Sequence, residues 1–274
     1  MNIQFTLTVP EGKRLIAEGI SSLPEIKKAL KSGKILLKGG TTVSAIAERL
    51  VGKKLRISGR ISPRGTKGSR AAKDIPHSIL IHKNKVYDVD DRLIQTVQSM
   101  GPEDVCLISA NIIDCEGNAA MMAGAPLGGN PGGIISGLMA EGVNVIIPVG
   151  IEKFSPHKVS KAVMAAGRKK PDVAMGMAVG LIPTTGRVFT EIDAIRAVTG
   201  LEPVIIGRGG INGAEGAVVF AVEGPEAECK KLMELIKSIK GAGVSGDEET
   251  LQECEPVSPG CKYHLACFYR EELK

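Results

Sequence analysis

Short apolar runs alternate with amphipathic segments along much of the chain. The runs at 34–38 (KILLK), 104–110 (DVCLISA) and 143–149 (VNVIIPV) are almost continuously apolar and are bounded by turn residues, which is typical of strands buried on both faces of a sheet. Helical spacing follows at 42–51 and, later, at 134–142. This pattern predicts an α/β fold with a Rossmann-like, mostly parallel sheet and helices on both of its faces.

Further elements follow from shorter patterns. They are a strand over 54–58, a hairpin of 77–83 and 85–89 around Lys83-Asn84, a helix from Ser155 to about Arg168, a helix that begins with a capping-box sequence at Thr190, strands over 203–207 and 217–224, and a helix over 225–240. The pattern changes after Lys170. We therefore divide the chain into an N-terminal helical lead-in (1–33), a Rossmann-like ligand-binding domain (34–171), a smaller α+β domain (172–240), and a linker with a Cys-rich tail (241–274).

Composition narrows the class of protein. Of the 274 residues, 43% are hydrophobic and 24% are charged, a balance typical of globular proteins. The N-terminus MNIQFTLTVPEGKR lacks the basic and apolar regions of a signal peptide, and the apolar runs are too short to cross a bilayer. We therefore expect a cytoplasmic protein with no membrane partner, and we expect a homo-oligomer. Aromatic residues make up 3% of the chain, which makes nucleic acid the less expected partner.

Positive charge is concentrated between Arg49 and Lys73, where nine Lys or Arg residues occur without Asp or Glu. Arg60 and Arg64 lie in a Gly/Pro/Ser-rich loop, from which guanidinium groups can close over a phosphate. Two interpretations stay open for this basic segment. It is either a solvated face, or a surface that attracts an anionic partner.

The turn Gly39-Gly40-Thr41-Thr42 connects the first buried strand to a helix. A helix N-terminus offers unpaired N–H groups and a partial positive charge, and glycines let a ligand approach the backbone closely. The turn is therefore a candidate anion site. The alternative is a tight connection with a threonine N-cap. A second candidate of the same kind is the loop 124–133, in which Gly128, Gly129 and Asn130 precede a predicted helix.

Polar residues follow the other two buried strands. Asn111, Asp114 and Asn118 come after the strand 104–110, and Asp114 is a candidate general base or ligand for a hydroxyl group. The alternative is that Asp114 and Asn118 cap a turn. Glu152 and Lys153 come after the strand 143–149. Both are candidate catalytic residues: Glu152 could be an acid, a base or a nucleophile, and Lys153 could bind a phosphate or a substrate oxyanion, unless the two form a surface ion pair.

Three thiols and an imidazole lie close together near the C-terminus, at Cys254, Cys261, His264 and Cys267. Such a Cys₃His set can complete a tetrahedral site for a structural zinc ion, the one cofactor that the sequence suggests. Cysteine clusters also hold iron–sulfur centres, form disulfides or remain as unbound thiols. These alternatives stay open at the level of sequence.

Three of these motifs resemble, in the same order, those of a Rossmann-like superfamily. GGTTVSAIAERL resembles the G-[ST]-T-T-helix of the superfamily that joins ribose-5-phosphate isomerases, CoA transferases and the effector domains of DeoR-type repressors. SANIID is similar to its G-A-[ND]-x-[IV]-D stretch, and VIIPVGIEKFS resembles its later strand ending in a Ser-Lys-Phe-type turn. The resemblance covers about residues 34–170.

In the repressor domains these loops bind a phosphorylated sugar. The resemblance implies that residues 39–42 hold the phosphate, that Asn111 and Asp114 face the sugar, and that Lys153 closes the site. Two acidic positions of the isomerases are Ile108 and Asn111 in this chain, so the resemblance implies a crevice without assigning a reaction.

We therefore expect a small phosphorylated or anionic metabolite (a sugar phosphate, nucleotide or CoA-like molecule) to bind at the carboxyl ends of the strands. The protein would be an isomerase-like or transferase-like enzyme, or a sensor. The alternative is a regulatory or interaction module whose basic segment binds nucleic acid or an acidic partner.

Overall fold

The computed structural model describes residues 1–68, 74–251, 261 and 264–270, which form a mixed α/β fold. The strands, in chain order, are β1 (Asn2–Leu7), β2 (Lys34–Lys38), β3 (Gly59–Ser62), β4 (Gly65–Gly68), β5 (Ser78–His82), β6 (Lys85–Asp88), β7 (Val105–Ile108), β8 (Ile112–Ile113), β9 (Ala119–Ala123), β10 (Asn144–Pro148), β11 (Gly180–Thr184), β12 (Arg187–Phe189), β13 (Pro203–Gly209) and β14 (Ala217–Glu223). The helices are α1 (Val9–Ser22), α2 (Pro24–Ser32), α3 (Thr41–Val51), α4 (Leu93–Gln98), α5 (Gly129–Ala140), α6 (Val159–Ala165), α7 (Glu191–Thr199), α8 (Glu226–Ile239) and α9 (Glu248–Leu251).

A six-stranded sheet with the order β12-β10-β7-β2-β5-β6 forms the centre of the fold. The strands β12, β10, β7 and β2 are parallel, and β5 and β6 complete one side as an antiparallel pair. Lys38 pairs with Ile108, so β2 and β7 end at the same level. The predicted mostly parallel sheet is confirmed, and its parallel strands present their carboxyl ends along one edge.

Helices cover both faces of this sheet because the strands are apolar on both sides. Ile35 and Leu37 of β2 belong to a core that includes side chains of α1, α3, α7 and α8. Leu36, the residue between them, belongs to a second core with side chains of α4 and α5. The arrangement follows from the alternation of side chains along a strand, and it confirms the predicted helices on both faces.

A second sheet joins the N-terminus to the later part of the chain. Its order is β1-β14-β13, with antiparallel pairing throughout. The rings of Phe5 and Phe220 stack across the β1–β14 pair with their centroids 5.6 Å apart. The chain order α7-β13-β14-α8 is as predicted, and the residues before 33 contribute a strand to the same sheet.

Local turn chemistry is confirmed at two predicted positions. The β5–β6 hairpin turns at Lys83 and Asn84, whose φ angles of 50° and 59° suit a two-residue hairpin loop. Helix α7 begins with the predicted capping box, in which Thr190 N donates to Asp193 Oδ2 at 2.8 Å.

Two predicted elements are wrong. Residues 54–58 form no strand, because side-chain hydroxyls satisfy their backbone: Leu55 N donates to Ser44 Oγ at 3.0 Å and Ile57 N to Thr250 Oγ1 at 3.1 Å. The helix predicted from Ser155 begins later, at Val159, and ends at Ala165. Its start is set by Asp114, whose Oδ2 accepts a hydrogen bond from Val159 N at 2.8 Å.

Two smaller sheets lie beside the main one. The strands β11, β9 and β8 form one, and the hairpin β3–β4 forms the other. The C-terminal segment 264–270 packs beside this hairpin, with the guanidinium of Arg64 4.4 Å from the centre of the Tyr269 ring. No helix among the described residues is long and apolar enough to cross a membrane.

Candidate functional site

Loops that follow the parallel strands meet along one edge of the main sheet. We call this the carboxyl edge and define it by residues 39–42 after β2, 109–111 after β7, 149–153 after β10 and 190–191 after β12. Lys153 Nζ donates to the carbonyl oxygen of Ala110 at 2.8 Å, and Ile151 N donates to Glu191 Oε2 at 3.0 Å. A Cβ built on Gly40 would lie 3.8 Å from Ser109 Cβ. Each loop is therefore next to its neighbour.

The glycine turn after β2 brings the backbone close to its surroundings. A Cβ on Gly39 would collide with the carbonyl oxygen and Nδ1 of His77, and Gly40 has a φ of 155°, which other residues rarely adopt. Gly40 itself is the N-cap of α3, and no side chain caps the helix. The threonine N-cap interpretation is therefore wrong. The Oγ1 atom of Thr42 is buried and has no hydrogen-bond partner among the residues that the structure describes.

Lys38, the last residue of β2, is 2% exposed. Its ammonium makes no hydrogen bond or ion pair with the part of the chain that the structure describes. Burial lowers the pKa of Lys38 to about 7, and the charge of Asp90 only partly opposes this shift. Ser78 lies directly opposite Lys38 in the sheet, and its buried Oγ also has no partner in the described part of the chain. The start of β5 and the end of β2 thus place a buried amine and a buried hydroxyl together without hydrogen-bond partners among the described residues.

Asp90 does not form an ion pair with Lys38, because its carboxylate oxygens accept hydrogen bonds from other groups. Its Oδ2 accepts hydrogen bonds from His77 N at 2.8 Å and Arg56 Nη2 at 2.9 Å, and its Oδ1 accepts one from Ser78 N at 2.8 Å. Burial would raise the pKa of Asp90, but these hydrogen bonds outweigh it and the pKa is lowered. Asp90 is therefore an ionised, fully bonded carboxylate beside the lysine.

The loop 124–133 approaches this region through Asn130. Its Nδ2 donates to the carbonyl oxygen of Asp90 at 3.4 Å. Helix α5 begins at Gly129 with Gly128 as its N-cap, and Gly128 packs closely against Ile182. The second glycine turn thus contacts the chain near Lys38 through Asn130, while Gly128 serves a packing contact.

A second charged cluster lies where β10 and β12 end. Lys13 Nζ of α1 is 3.8 Å from Glu152 Oε1, and a Cβ on Gly12 would lie 2.5 Å from Glu191 Oε1. Burial lowers the pKa of Lys13, and the nearby carboxylates oppose that shift. Burial, followed by the charge of Glu152, raises the pKa of Glu191 to about 7. Two acids and a buried lysine therefore share this part of the carboxyl edge.

Lys153 lies between the loop after β7 and this charged cluster. It is half-buried, and burial, together with the charge of Lys13, lowers its pKa to about 8. Its hydrogen bond goes to a neutral carbonyl oxygen, and no ion pair involving Lys153 occurs within the described ranges. The surface Glu–Lys pair considered for Glu152 and Lys153 is therefore wrong, since Glu152 pairs with Lys13 instead.

Sequence reasoning did not select Lys13 or Glu191 as site residues. A signal existed for Lys13, which lies three and seven residues before the apolar positions Ile16 and Ile20 and so occupies the buried stripe of α1. A charged residue in an apolar stripe is costly to bury, which makes it a candidate functional residue.

The hydrogen bonds of Asp114 agree with the turn-capping interpretation. Its Oδ1 accepts hydrogen bonds from Glu116 N and Asn118 N at 3.0 Å each, and its Oδ2 accepts from Val159 N. Burial opposes ionisation, but these hydrogen bonds lower the pKa of Asp114. Asn111 is likewise engaged, since its Oδ1 accepts a hydrogen bond from Met122 N at 2.9 Å. These contacts hold local structure and do not support the predicted catalytic role of Asp114.

Several residues of the basic segment have acidic partners. Arg49 pairs with Glu18, Lys54 with Glu248 and Arg56 with Asp90. Arg60 lies in β3 opposite Lys67 of β4, and Arg64 stacks on Tyr269. Arg70 and Lys73 lie outside the described residues. The segment is therefore not a uniformly basic face.

The predicted zinc ligands are described in part. Cys261, His264 and Cys267 have placed side chains, whereas Cys254 lies outside the described residues. Where the chain is described, no group of three or more His, Cys, Asp or Glu side chains is arranged to hold a metal ion. The four-residue zinc site stays a prediction.

No family model, curated protein or solved structure shows a significant match to the chain. The resemblance of its three motifs to the sugar-phosphate superfamily therefore stays a prediction. The case for a function rests on the residues that the carboxyl edge brings together.

Proposed function

We propose that the protein binds a small phosphorylated or otherwise anionic metabolite at the carboxyl edge of a Rossmann-like domain. One observation carries this proposal. Lys38 is buried at the end of β2 and Lys153 is half-buried in the loop after β10, and neither has a carboxylate within ion-pair distance among the described residues. A bound anion would supply the missing counter-charge of Lys153.

The energetic argument starts from the cost of burying an ammonium ion. An unpaired buried charge costs several kcal/mol even after the protein relaxes. A fold that served structure alone would place methionine or leucine at these positions at lower cost. Retaining two such lysines along one sheet edge, at the end of β2 and in the loop after β10, is therefore typical of a binding site.

The turn at residues 39–42 adds a second attraction for the same ligand. No side chain among the described residues caps the start of helix α3, so its first N–H groups and the positive end of its dipole can attract an anion. Gly40 allows close approach of a ligand to the backbone. The unpartnered hydroxyl of Thr42 provides one more hydrogen-bond donor.

The class of ligand follows from the motifs and the site together. The order of the three motifs supports a sugar phosphate, nucleotide or CoA-like molecule, bound by an isomerase-like or transferase-like enzyme or by a sensor. Lys13, Glu152 and Glu191 offer groups for proton transfer beside the anion site. A cytoplasmic homo-oligomer remains part of the proposal. The alternative of a nucleic-acid module is weakened by the ion pairs of Arg49, Lys54 and Arg56.

Calorimetric titration tests the proposal. The probes are inorganic phosphate and ribose 5-phosphate, with ribose as the uncharged comparison. Lys153→Met should weaken binding of both phosphate probes about tenfold or more, because a hydrogen bond to a charged group contributes roughly 1.5–3 kcal/mol. Lys161→Met, which changes an exposed lysine on α6, is the matched control and should bind as the wild type does. Absence of phosphate binding, or equal affinity in Lys153→Met, would overturn the proposal.

A further inference from the structure

Lys38 differs from the other two lysines of the carboxyl edge. Lys13 pairs with Glu152, and Lys153 donates a hydrogen bond to a carbonyl oxygen. Lys38 has neither kind of partner among the described residues, although it is 2% exposed. A buried amine without a hydrogen-bond or ion-pair partner in the described part of the chain is costly and requires another explanation.

The titratable groups that face Lys38 do not supply a counter-charge. Asp90 is bonded to Arg56, which balances its charge. Burial, followed by the charge of Lys38, lowers the pKa of His77 to about 3, so this imidazole is neutral. Burial raises the pKa of Cys106 to about 12, so this thiol is protonated. The surroundings therefore favour a neutral amine at Lys38.

A neutral lysine is a nucleophile. With a pKa of about 7, Lys38 would be about half unprotonated at pH 7, whereas an ordinary lysine with a pKa of about 10.4 would be unprotonated in well under 0.1% of molecules. The difference is on the order of a thousandfold. Desolvation of this kind activates lysines that form Schiff bases with carbonyl compounds.

A hydroxyl group adds a polar partner for a reacting carbonyl. Ser78 is opposite Lys38 in the β2–β5 pair, so both side chains lie on the same face of the sheet. The Oγ atom of Ser78 is buried and has no hydrogen-bond partner among the described residues. A hydroxyl group without a partner can donate a hydrogen bond to the oxygen of a carbonyl compound. When this oxygen is converted to a hydroxyl group, the side chain can accept a hydrogen bond from that group.

We propose that Lys38 is the nucleophile of an enzyme and forms an imine with the aldehyde or ketone group of a phosphorylated ligand. This inference rests on the proposed function, because the phosphate would be held at residues 39–42, which follow Lys38 directly in the chain. It assigns a substrate class, phosphorylated carbonyl compounds, and a reaction type to the site.

The chemistry balances without an oxidant or a reductant. The Nζ lone pair attacks the carbonyl carbon, and one Nζ proton passes to the carbonyl oxygen, which gives a carbinolamine. The C–O bond then breaks, and the hydroxyl leaves as water with the second Nζ proton. The resulting C=N bond withdraws electrons from the adjacent carbon, which is where bond cleavage or proton removal would occur.

Reductive trapping tests the inference on the full chain. The protein is incubated at pH 7 with glyceraldehyde 3-phosphate and cyanoborohydride, which reduces an imine to a stable secondary amine. We expect one adduct per chain at Lys38. Trypsin does not cleave after a modified lysine, so the peptide 35–49 should replace 35–38 and 39–49. The experiment on the wild-type protein is sufficient to refute the inference. Labelling spread over exposed lysines, without enrichment at Lys38, would overturn it.

A matched pair of variants sharpens the result. Lys38→Arg carries a permanent positive charge and forms no imine under these conditions, and it should reduce the single adduct at least tenfold. Lys34→Arg alters the opposite end of the same strand and should label as the wild type does. Thermal unfolding confirms that both variants fold. Equal labelling of folded Lys38→Arg and wild type would overturn the inference.

The same experiment separates the inference from the proposed function on which it rests. If calorimetry detects phosphate binding while Lys38 stays unlabelled, the imine is overturned and the anion site stands. If phosphate does not bind, and glyceraldehyde labels Lys38 as fast as glyceraldehyde 3-phosphate does, the nucleophile stands and the phosphate site falls.

Discussion

Replacing Thr42 with valine should stabilise the free protein and weaken its affinity for phosphate. The Thr42 side chain is fully buried, and within the described ranges its Oγ1 has no hydrogen-bond partner. An unpaired buried hydroxyl costs about 1–3 kcal/mol, and valine has nearly the same shape. We therefore expect the free energy of unfolding to rise by about 1 kcal/mol and Tm by about 2–4 °C. If the hydroxyl donates to bound phosphate, affinity should fall by about tenfold.

Urea unfolding measures the first effect, and calorimetric titration with inorganic phosphate measures the second. Thr250→Val is the matched control, because Thr250 is buried to a similar degree but its Oγ1 donates to the Asp247 carbonyl at 2.7 Å and accepts from Ile57 N at 3.1 Å. That variant should lose about 1–3 kcal/mol. The reasoning is refuted if Thr42→Val is less stable than the wild type, or if it binds phosphate with unchanged affinity.

Three other substitutions test separate parts of the structure. Gly39→Ala should lower the free energy of unfolding in urea by about 1–3 kcal/mol because its Cβ would overlap His77, whereas Gly133→Ala, with no atom within 4 Å of the new Cβ, should not destabilise. Asp114→Ala should lower the free energy of unfolding by a similar amount, because hydrogen bonds are lost, and should leave phosphate affinity within about twofold of the wild type. A larger loss of affinity would support the predicted role of Asp114 at the ligand. Lys38 binds fewer protons folded than unfolded between pH 7 and about 10, so wild-type stability should rise with pH there. Lys38→Met should flatten this slope by up to about 1.4 kcal/mol per pH unit in urea unfolding at pH 7.5–9.5, and parallel profiles would contradict it.

The sequence predicted the main sheet because parallel strands buried on both faces are continuously apolar, as in 34–38 and 143–149. It did not predict that β1 pairs with β14, more than 200 residues away, since no local pattern encodes a partner at that distance. The strand at 54–58 was wrong for a related reason. Hydroxyls of Ser44 and Thr250 satisfy that backbone, and Thr250 lies 193 residues from Ile57, the residue that donates to it.

For the candidate site, too, the sequence revealed the residues that carry a local signal and missed those that depend on packing. Gly39 and Gly40 were found because glycines before a helix are a local signal with a physical cause. Asp114 was selected by residue type, but its carboxylate is occupied by a turn and by the start of α6. Lys38 was overlooked because a lysine at the end of a strand is usually solvated. Only the packing around it shows that it is buried without a counter-charge.

Electrostatics explains why the proposed site needs more than one lysine. A phosphate in contact with Lys38 would stabilise its ammonium form, raise its pKa and remove the neutral amine that attacks a carbonyl. The negative charge must therefore be met elsewhere, and Lys153 and the uncapped start of α3 are the groups at the carboxyl edge suited to meet it. Lys38 can then stay neutral at the other end of the ligand. This division of roles implies that Lys153→Met weakens phosphate binding, whereas Lys38→Arg removes imine trapping and leaves phosphate affinity largely intact.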